Sequence, residues 1–600
     1  VSGYSASGFA VGIAHTAASS AATEIGTLAG TVEAKGQYGS TGLLNAATGS
    51  GSVSTFHIGE LSGTVYAEHF YENPSNSYNN DSDFKAAGIQ SSASSTGTAT
   101  LTIDNLSGIV AVNSFDSKDT DGKSKAYGLT ASTSVNAAIS GIVFAGSCKN
   151  GDLLRQLEKI QQGTATADTV TGNATGYAIV GGKGDDVITL NAGAKVFGMI
   201  ALNSGNDILN IAAQAEIFGS VDGDILTLTN NGVISGDVSG QTLTISGTGS
   251  ISGAVYGGAI LGTGALELDT VSITVSGNTV AGGIYAGAYA VAGSAAHVKN
   301  AFITVNGTDN IIHASGSGAN STTDNVTITI GNTFGGKILA DDGQTAVVTL
   351  KSGSQFNGTM QFDANDTLVV ELGAVLGNSI DLNGGKLKIV VPASGVRLRA
   401  AVANLADILT MISGAGSLEF QGTAVIDGSD LTDAEKIQLE TNLSSVIRIS
   451  AAAGSTVVFD ADATVKLAGL TEITGEGTVK LVVPPANDLT VADSATLKIG
   501  DGLSITNGAV QVTDGKLTVS ANDGGSVTIT ELPEGIDSIE IASGTKGEVV
   551  VDPSVSDSVT VPSDVAVKIA VNWPADFFGA DAPASAEQLV PAADRATFGT

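Results

Sequence analysis

Asp186-Val-Ile-Thr-Leu190, Asp207-Ile-Leu-Asn-Ile211, Asp224-Ile-Leu-Thr-Leu228 and Gln241-Thr-Leu-Thr-Ile245 are four copies of one phrase: an acidic or polar start followed by alternating apolar positions. From start to start they advance by 21, 17 and 17 residues. A second set, Val196-Phe-Gly198, Ile217-Phe-Gly219, Ile234-Ser-Gly236 and Ile251-Ser-Gly253, advances by the same 21, 17 and 17. A strand this short cannot bury its apolar face alone. A chain that repeats one every ~20 residues buries it by stacking each copy on the last. The double register therefore predicts an all-β solenoid of parallel coils, and an architecture of this kind suggests a scaffold before a catalyst.

The remaining sequence supports this reading. Glycine is 79 of 600 residues while proline is only 10, so glycine marks turns rather than collagen or a disordered linker. Charged residues make up 14% and aromatics 5%, which fits a thin core of Val, Ile, Leu and Ala under a surface of Ser, Thr, Asn and Gly. A net charge of −33 repels phosphate backbones and anionic lipid, so no nucleic-acid partner is expected. The single cysteine, Cys148, cannot form an internal disulfide and has no placed histidine, and is read as structural. No apolar run reaches the ~18 residues of a membrane helix. The start at Val1, without Met or a basic, apolar leader, is expected of an excised or mature segment.

Residues 1–150 carry a longer version of the repeat. Leu28-Ala-Gly30-Thr-Val32, Leu61-Ser-Gly63-Thr-Val65, Leu106-Ser-Gly108-Ile-Val110 and Ile139-Ser-Gly141-Ile-Val143 keep their phrase while their spacing runs 33, 45 and 33. Gly42-Leu43, Gly88-Ile89 and Gly128-Leu129 mark a second strand position in each unit. The polar stretches near 71–83 and 114–125 are expected to project from one flank, where insertions do not break a coil. Residues 151–163 read as a short helix, because Leu153, Leu154, Leu157 and Ile160 recur at helical spacing; it is expected to divide two solenoid segments. Coils are expected over 164–394. A helical insertion, read as a lid, cap or spacer, is expected over 395–445, where Thr432 and Glu435 form a capping box. Strands return over 446–572, and the proline- and alanine-rich segment 573–600 reads as a linker. About 25 coils at ~4.8 Å each would give a rod on the order of 120 Å.

The coil Gly205-Asn-Asp-Ile-Leu-Asn-Ile211, followed by an apolar pair and Gly219, resembles the passenger regions of bacterial autotransporters and related haemagglutinin-type adhesins. The resemblance implies a right-handed parallel β-helix, secreted through the outer membrane and displayed on the cell surface. It further implies a host or matrix glycan or protein as partner, for a chain that is monomeric or self-associates laterally. The sequence shows no block of alternating strands with aromatic girdles, and no membrane anchor is expected within this chain.

Chemistry is sparse by comparison. Gly181-Gly-Lys-Gly-Asp-Asp-Val-Ile-Thr189 fits a calcium-binding nonapeptide, but a calcium sandwich needs consecutive copies. If calcium binds, Asp185, Asp186, Asp207, Asp222 and Asp224 are its ligands; no other cofactor is expected. His57, Glu60, Glu68 and His69 are a second group that adjacent strands would bring together, against the plainer reading of a polar flank. A polysaccharide-degrading β-helix enzyme is the rival class, but basic residues are few and joined to no aromatic platform, so no catalytic residue is assigned. A coat or surface-layer component is a further alternative. An ice-binding face would need a flat threonine ladder, and Thr227, Thr242, Thr244, Thr274 and Thr304 are read as lacking constant register.

Overall fold

The computed structural model describes residues 1–5, 9–36, 39–71, 85–116, 125–148, 152–261, 264–307, 309–318, 320–340, 344–392, 396–397, 404–428, 431–513 and 515–569. The tips of the two polar loops and the expected linker lie outside them. The fold is a right-handed parallel β-solenoid with short helical insertions. The chain divides into two units, Val1–Val326 and Thr327–Thr600.

In unit 1 each coil visits three faces in order. Ser2–Ser5 opens face A, Phe9–Ala17 opens face B and Ser20–Leu28 opens face C, and later coils add parallel strands to each. Alternation does the sorting: in Thr98–Leu106, Ala99, Leu101 and Ile103 point inward and are fully covered, while Thr100 and Thr102 point out. Each inward Leu or Ile contributes roughly 1.5–3 kcal/mol of burial.

The constant phrase of the first coils is the C-to-A corner. Leu61 ends a face C strand, Thr64 begins a face A strand, and Gly63 lies between them. A Cβ on Gly63, Gly108 or Gly141 would stand 2.0, 1.9 and 2.0 Å from the carbonyl oxygen of Gly30, Gly63 or Gly108, one coil earlier. Only glycine lets corner rest on corner.

One part of the double register is corrected. Face A advances as expected, Val196 to Ile217 to Ile234 to Ile251. On face C, however, Leu209 pairs with Leu228 and Leu228 with Ile245, so its steps after Ile188 are 21, 19 and 17. The coil shortens in two stages of two residues rather than one of four. A slip of two keeps every side chain on its own face, which is why the core survives it. Asp207 consequently aligns with Leu226, not with Asp224. The threonines are corrected in the other direction: Thr227, Thr244, Thr274 and Thr304 lie directly over one another on face C.

Helix α1 (Leu153–Gln161) and the short α2 (Asp168–Thr171) lie over the outer surface of face A. Leu153, Leu157, Ile160 and Val170 form a second core there with Tyr66, Ile109, Phe144 and Phe197. The ladders pass this arm uninterrupted, since Ile142–Gly146 pairs with Lys195–Phe197 and Lys125–Ala131 with Tyr177–Val180. Cys148 is buried under it, exchanging backbone hydrogen bonds with the Asn113 amide.

Unit 2 stacks Thr345–Leu350, Thr367–Glu371, Lys386–Val390, Ser417–Gln421, Arg448–Ala451 and Glu472–Gly475 as face D. Val396–Arg397, Ala424–Ile426, Thr456–Phe459 and Thr478–Leu481 form face E. The helices expected over 395–445 are present as α3 (Asn404–Met411) and α4 (Asp433–Leu443), with the Thr432–Glu435 capping box formed. Strands 417–421 and 424–426 carry both ladders between them. The helices, with α5 (Ala461–Lys466), occupy the segments that lead from face E back to face D. Asn442 ties α4 to α3 by donating to the Leu409 and Thr410 carbonyls at 2.9 and 3.0 Å.

Among the described strands, the expectation of parallel rungs fails over 489–529. Leu489–Ile499 runs along both faces, Leu503–Thr513 returns antiparallel, and Lys516–Ile529 turns forward again. Three residues join the first pair and two the second, too few to cross the third side of a coil. Gly500 at φ +60° and Gly515 at φ +80° make the turns.

Candidate functional site

Three successive coils of unit 1 place their long insertions at one corner. Thr64–Tyr71 on face A leads through 72–84 to Lys85–Ala93 on face B, and Ile109–Asp116 leads through 117–124 to Lys125–Ala131. The α1–α2 arm makes the same passage in the coil after, whereas in the coil before only two residues join Gly36 to Gly39. In later coils this corner closes in a few residues, as at Phe197-Gly198-Met199. Long and variable segments therefore leave the ladder where its backbone pairing is already complete.

The five candidate calcium ligands do not form one column. Asp186 and Asp207 align one above the other at the B-to-C corner and are buried. Each spends Oδ1 on a backbone donor one coil below: Asp186 accepts from the Val135 N–H, and Asp207 from the Asp186 N–H at 3.0 Å. Thr133 Oγ1 does the same for the Ala99 N–H at 2.8 Å, as does Asp366 for the Ala346 N–H at 2.9 Å in unit 2. A strand-start oxygen thus completes the ladder where the first backbone donor of the coil below has no carbonyl opposite. The second oxygens, Oδ2 of Asp186 and of Asp207, are buried without a hydrogen-bond partner. Burial raises the Asp186 carboxyl to about 7 and the Asp207 carboxyl to about 6. Asp222 lies on face B, also raised by burial, and accepts from Ser239 Oγ at 2.5 Å. Asp185 and Asp224 are exposed and accept from the Asn206 N–H and from Ser204 Oγ. Among the described residues, no three His, Cys, Asp or Glu side chains gather into a metal-holding group.

His57, Glu60, Glu68 and His69 are separated. His57 is half-buried on the outer side of face C and meets Asp104 at 2.9 Å, while Glu60 accepts from Asn105 and Ser107 at 2.7 and 2.6 Å. Glu68 pairs with Lys35 at 3.2 Å on face A, and His69 is buried against Ser114.

Sequence reading missed a cleft of about 320 Å³ on the outer surface of face D, lined by Lys386, Glu419, Arg448, Glu472 and small polar neighbours. Glu419 bridges Lys386 and Lys388 at 3.3 and 2.7 Å, and Arg448 meets Glu472 at 2.7 Å. Burial alone would raise the Glu419 carboxyl, but the two lysines outweigh it and hold it below its ordinary value. The signal was present: Lys386, Ser417, Arg448 and Glu472 occupy one outward column once the strands are aligned. Also unread were the buried amides of Asn230, Asn278 and Asn310, which bond coil to coil at the C-to-A corner.

No family model, curated protein or solved structure matches this chain. Its class rests on the geometry: a parallel β-solenoid scaffold.

Proposed function

We propose that this chain is a secreted or surface-displayed bacterial adhesin of the autotransporter-passenger kind, a non-catalytic shaft that presents its ligand-binding loops at the A-to-B corner. The observation that carries the reading is the placement of every long insertion of the first coils at that one corner, while the ladders beneath continue in register. Binding by loops on a stacked core separates recognition from stability, so the loops can vary without disturbing the fold. The partner is a glycan or protein of a host or matrix surface.

The test is a glycan and matrix-protein binding screen on the full chain and on variants in which 72–83 or 117–124 is replaced by a short Gly-Ser link. Saturable binding that disappears with either replacement, in a chain whose circular dichroism is unchanged, supports the reading. Binding that survives both replacements, or no saturable binding, overturns it.

A further inference from the structure

The ion pairs of the face D cleft do not close its charge count. Lys386 and Lys388 share one carboxylate, that of Glu419, at 3.3 and 2.7 Å, and Arg448 has Glu472 at 2.7 Å. Three cations therefore face two carboxylates, and one positive charge is left over. The chain as a whole runs the other way, with 59 acidic against 26 basic residues. Most of a surface so charged turns anions away, and this recess is a place where an anion meets net positive charge.

The shape agrees with the charge. Lys386, Ser417 and Arg448 are successive members of one outward column. Two strand steps of ~4.8 Å set the two cations about 10 Å apart along it, with a small hydroxyl side chain between them. Ser450 and Thr474, themselves paired, continue the hydroxyl floor in the neighbouring column, and Glu472 closes the end. Long side chains standing around short ones leave the hollow of about 320 Å³. That volume lies at the small end of ligand pockets. Apart from Leu418 the lining side chains are charged or carry hydroxyls, so the hollow suits a ligand that is polar over its whole surface. Arg448 gives Nε to Glu472, and its two Nη groups bond to none of the described residues, which leaves that end of the fork open to a carboxylate or sulfate.

We propose that this cleft binds a sugar unit carrying one anionic group, a carboxylate or a sulfate ester, with the anion over Ser417 between Lys386 and Arg448 and ring hydroxyls on Ser450 and Thr474. One negative charge closes the count. A dianion such as a phosphate monoester would bring a second charge against Glu419 and Glu472, and Glu419 stays ionised because its two lysines hold its carboxyl below the ordinary value. Arg448 turns to a ligand at little cost, since its exposed pair with Glu472 contributes little on its own. An open site for a single ring holds it weakly, with a Kd of about 1 mM. The site lies in unit 2 and is independent of the corner loops and of the adhesin reading.

Saturation-transfer NMR of the full chain with methyl glucuronide, glucose 6-sulfate and methyl glucoside, and with inorganic sulfate as competitor, tests it. At least one of the two acidic sugars should bind at about 1 mM and be weakened by added salt, and the one that binds identifies the anionic group. Methyl glucoside should bind at least about tenfold more weakly, as should the acidic sugar to the Arg448→Gln variant, because each loses a charge-assisted bond. Glu472→Gln releases Arg448 and removes a negative charge, so it should tighten binding about twofold, a sign that damage to the fold cannot produce. Lys195→Gln on face A, and replacement of the corner loops, should change nothing. No binding of either acidic sugar up to about 20 mM, inorganic sulfate competing at the affinity of the sugars themselves, or an affinity indifferent to Arg448→Gln overturns the proposal.

Discussion

The first coils of unit 1 and the later coils of unit 2 solve one packing problem with different corners. In unit 1 a third strand closes each coil, and the corners are so tight that the Cβ of Gly108 would fall 1.9 Å from the Gly63 oxygen. In unit 2 helices or short turns close the coil, and a glycine such as Gly454 has open space around it at φ +72°. The contrast shows that glycine serves two purposes here: admitting the coil below, and adopting a left-handed turn. Gly108→Ala should break the contrast most sharply, costing about 4 kcal/mol because backbone must move. Gly454→Ala should cost about 1 kcal/mol, the conformational penalty alone. Denaturant unfolding followed by hydrogen exchange reads both, and equal costs would refute the distinction.

The helices divide in the same way. α1 covers the outside of finished ladders, whereas α4 occupies the return from face E to face D. Leu157 and Leu439 are both buried, and either replaced by alanine should cost about 3 kcal/mol. The difference is in its reach. Leu157→Ala should speed amide exchange in 152–171 while leaving the face A strands protected, whereas Leu439→Ala should expose strands from 417 to 475. Exchange confined to α4 in the second variant would make that helix an appendage too.

Much of this was legible because solenoid chemistry is written in repeats. The Leu-Ser-Gly phrase at Gly63 and Gly108 located the corner, and Thr432 with Glu435 located a helix start, since both depend on neighbours in sequence. What failed depended on neighbours in space. Whether Asp207 meets Asp224 or Leu226 is decided by where a shrinking coil sheds residues, and two placements leave the same alternation. The reversal at 489–529 was legible and overlooked: Gly500-Asp-Gly502 and Asp514-Gly515 between alternating strands are hairpin turns too short for a parallel crossing. The cleft at Lys386 and Arg448 needed the strand alignment before its column existed. The calcium motif at Gly181 drew attention to carboxylates of which Asp186 and Asp207 accept from backbone N–H groups.

Those carboxylates give the next comparison. Asp186 and Asp207 each leave one buried oxygen unpartnered, whereas in unit 2 both oxygens of Asp366 accept backbone N–H groups, from Ala346 and Asp363. Burial lifts Asp186 to about 7 and Asp207 to about 6, above the value near 4 of an unfolded chain. The folded state therefore binds more protons between those values, and unit 1 should gain stability as pH falls from about 7.5 toward 5, on the order of 2 kcal/mol. Asp186→Asn should remove most of this gain while keeping the Val135 bond. Asp366→Asn should instead destabilise unit 2 at every pH, because its amide would face the Asp363 N–H. Unfolding midpoints across pH, with exchange assigning each unit, check the pair; a loss of unit 1 stability on acidification would reverse the sign.

The smallest effect concerns the outward surfaces. Face D of unit 2 carries the Arg448–Glu472 pair where face C of unit 1 carries hydroxyls, and both partners of the pair are partly exposed. An exposed pair gains little, because water screens it and two long side chains must be held still. Arg448→Ala should cost about 0.5 kcal/mol or less, and a double-mutant cycle with Glu472→Ala should find a coupling of the same size that fades by 0.5 M salt. Thr244→Ala on face C should cost as little, since an outward hydroxyl there meets only water. A coupling several times larger at Arg448 would mean that the cleft excludes solvent and fixes its charges before a ligand arrives, and the two surfaces would then differ in kind rather than in composition.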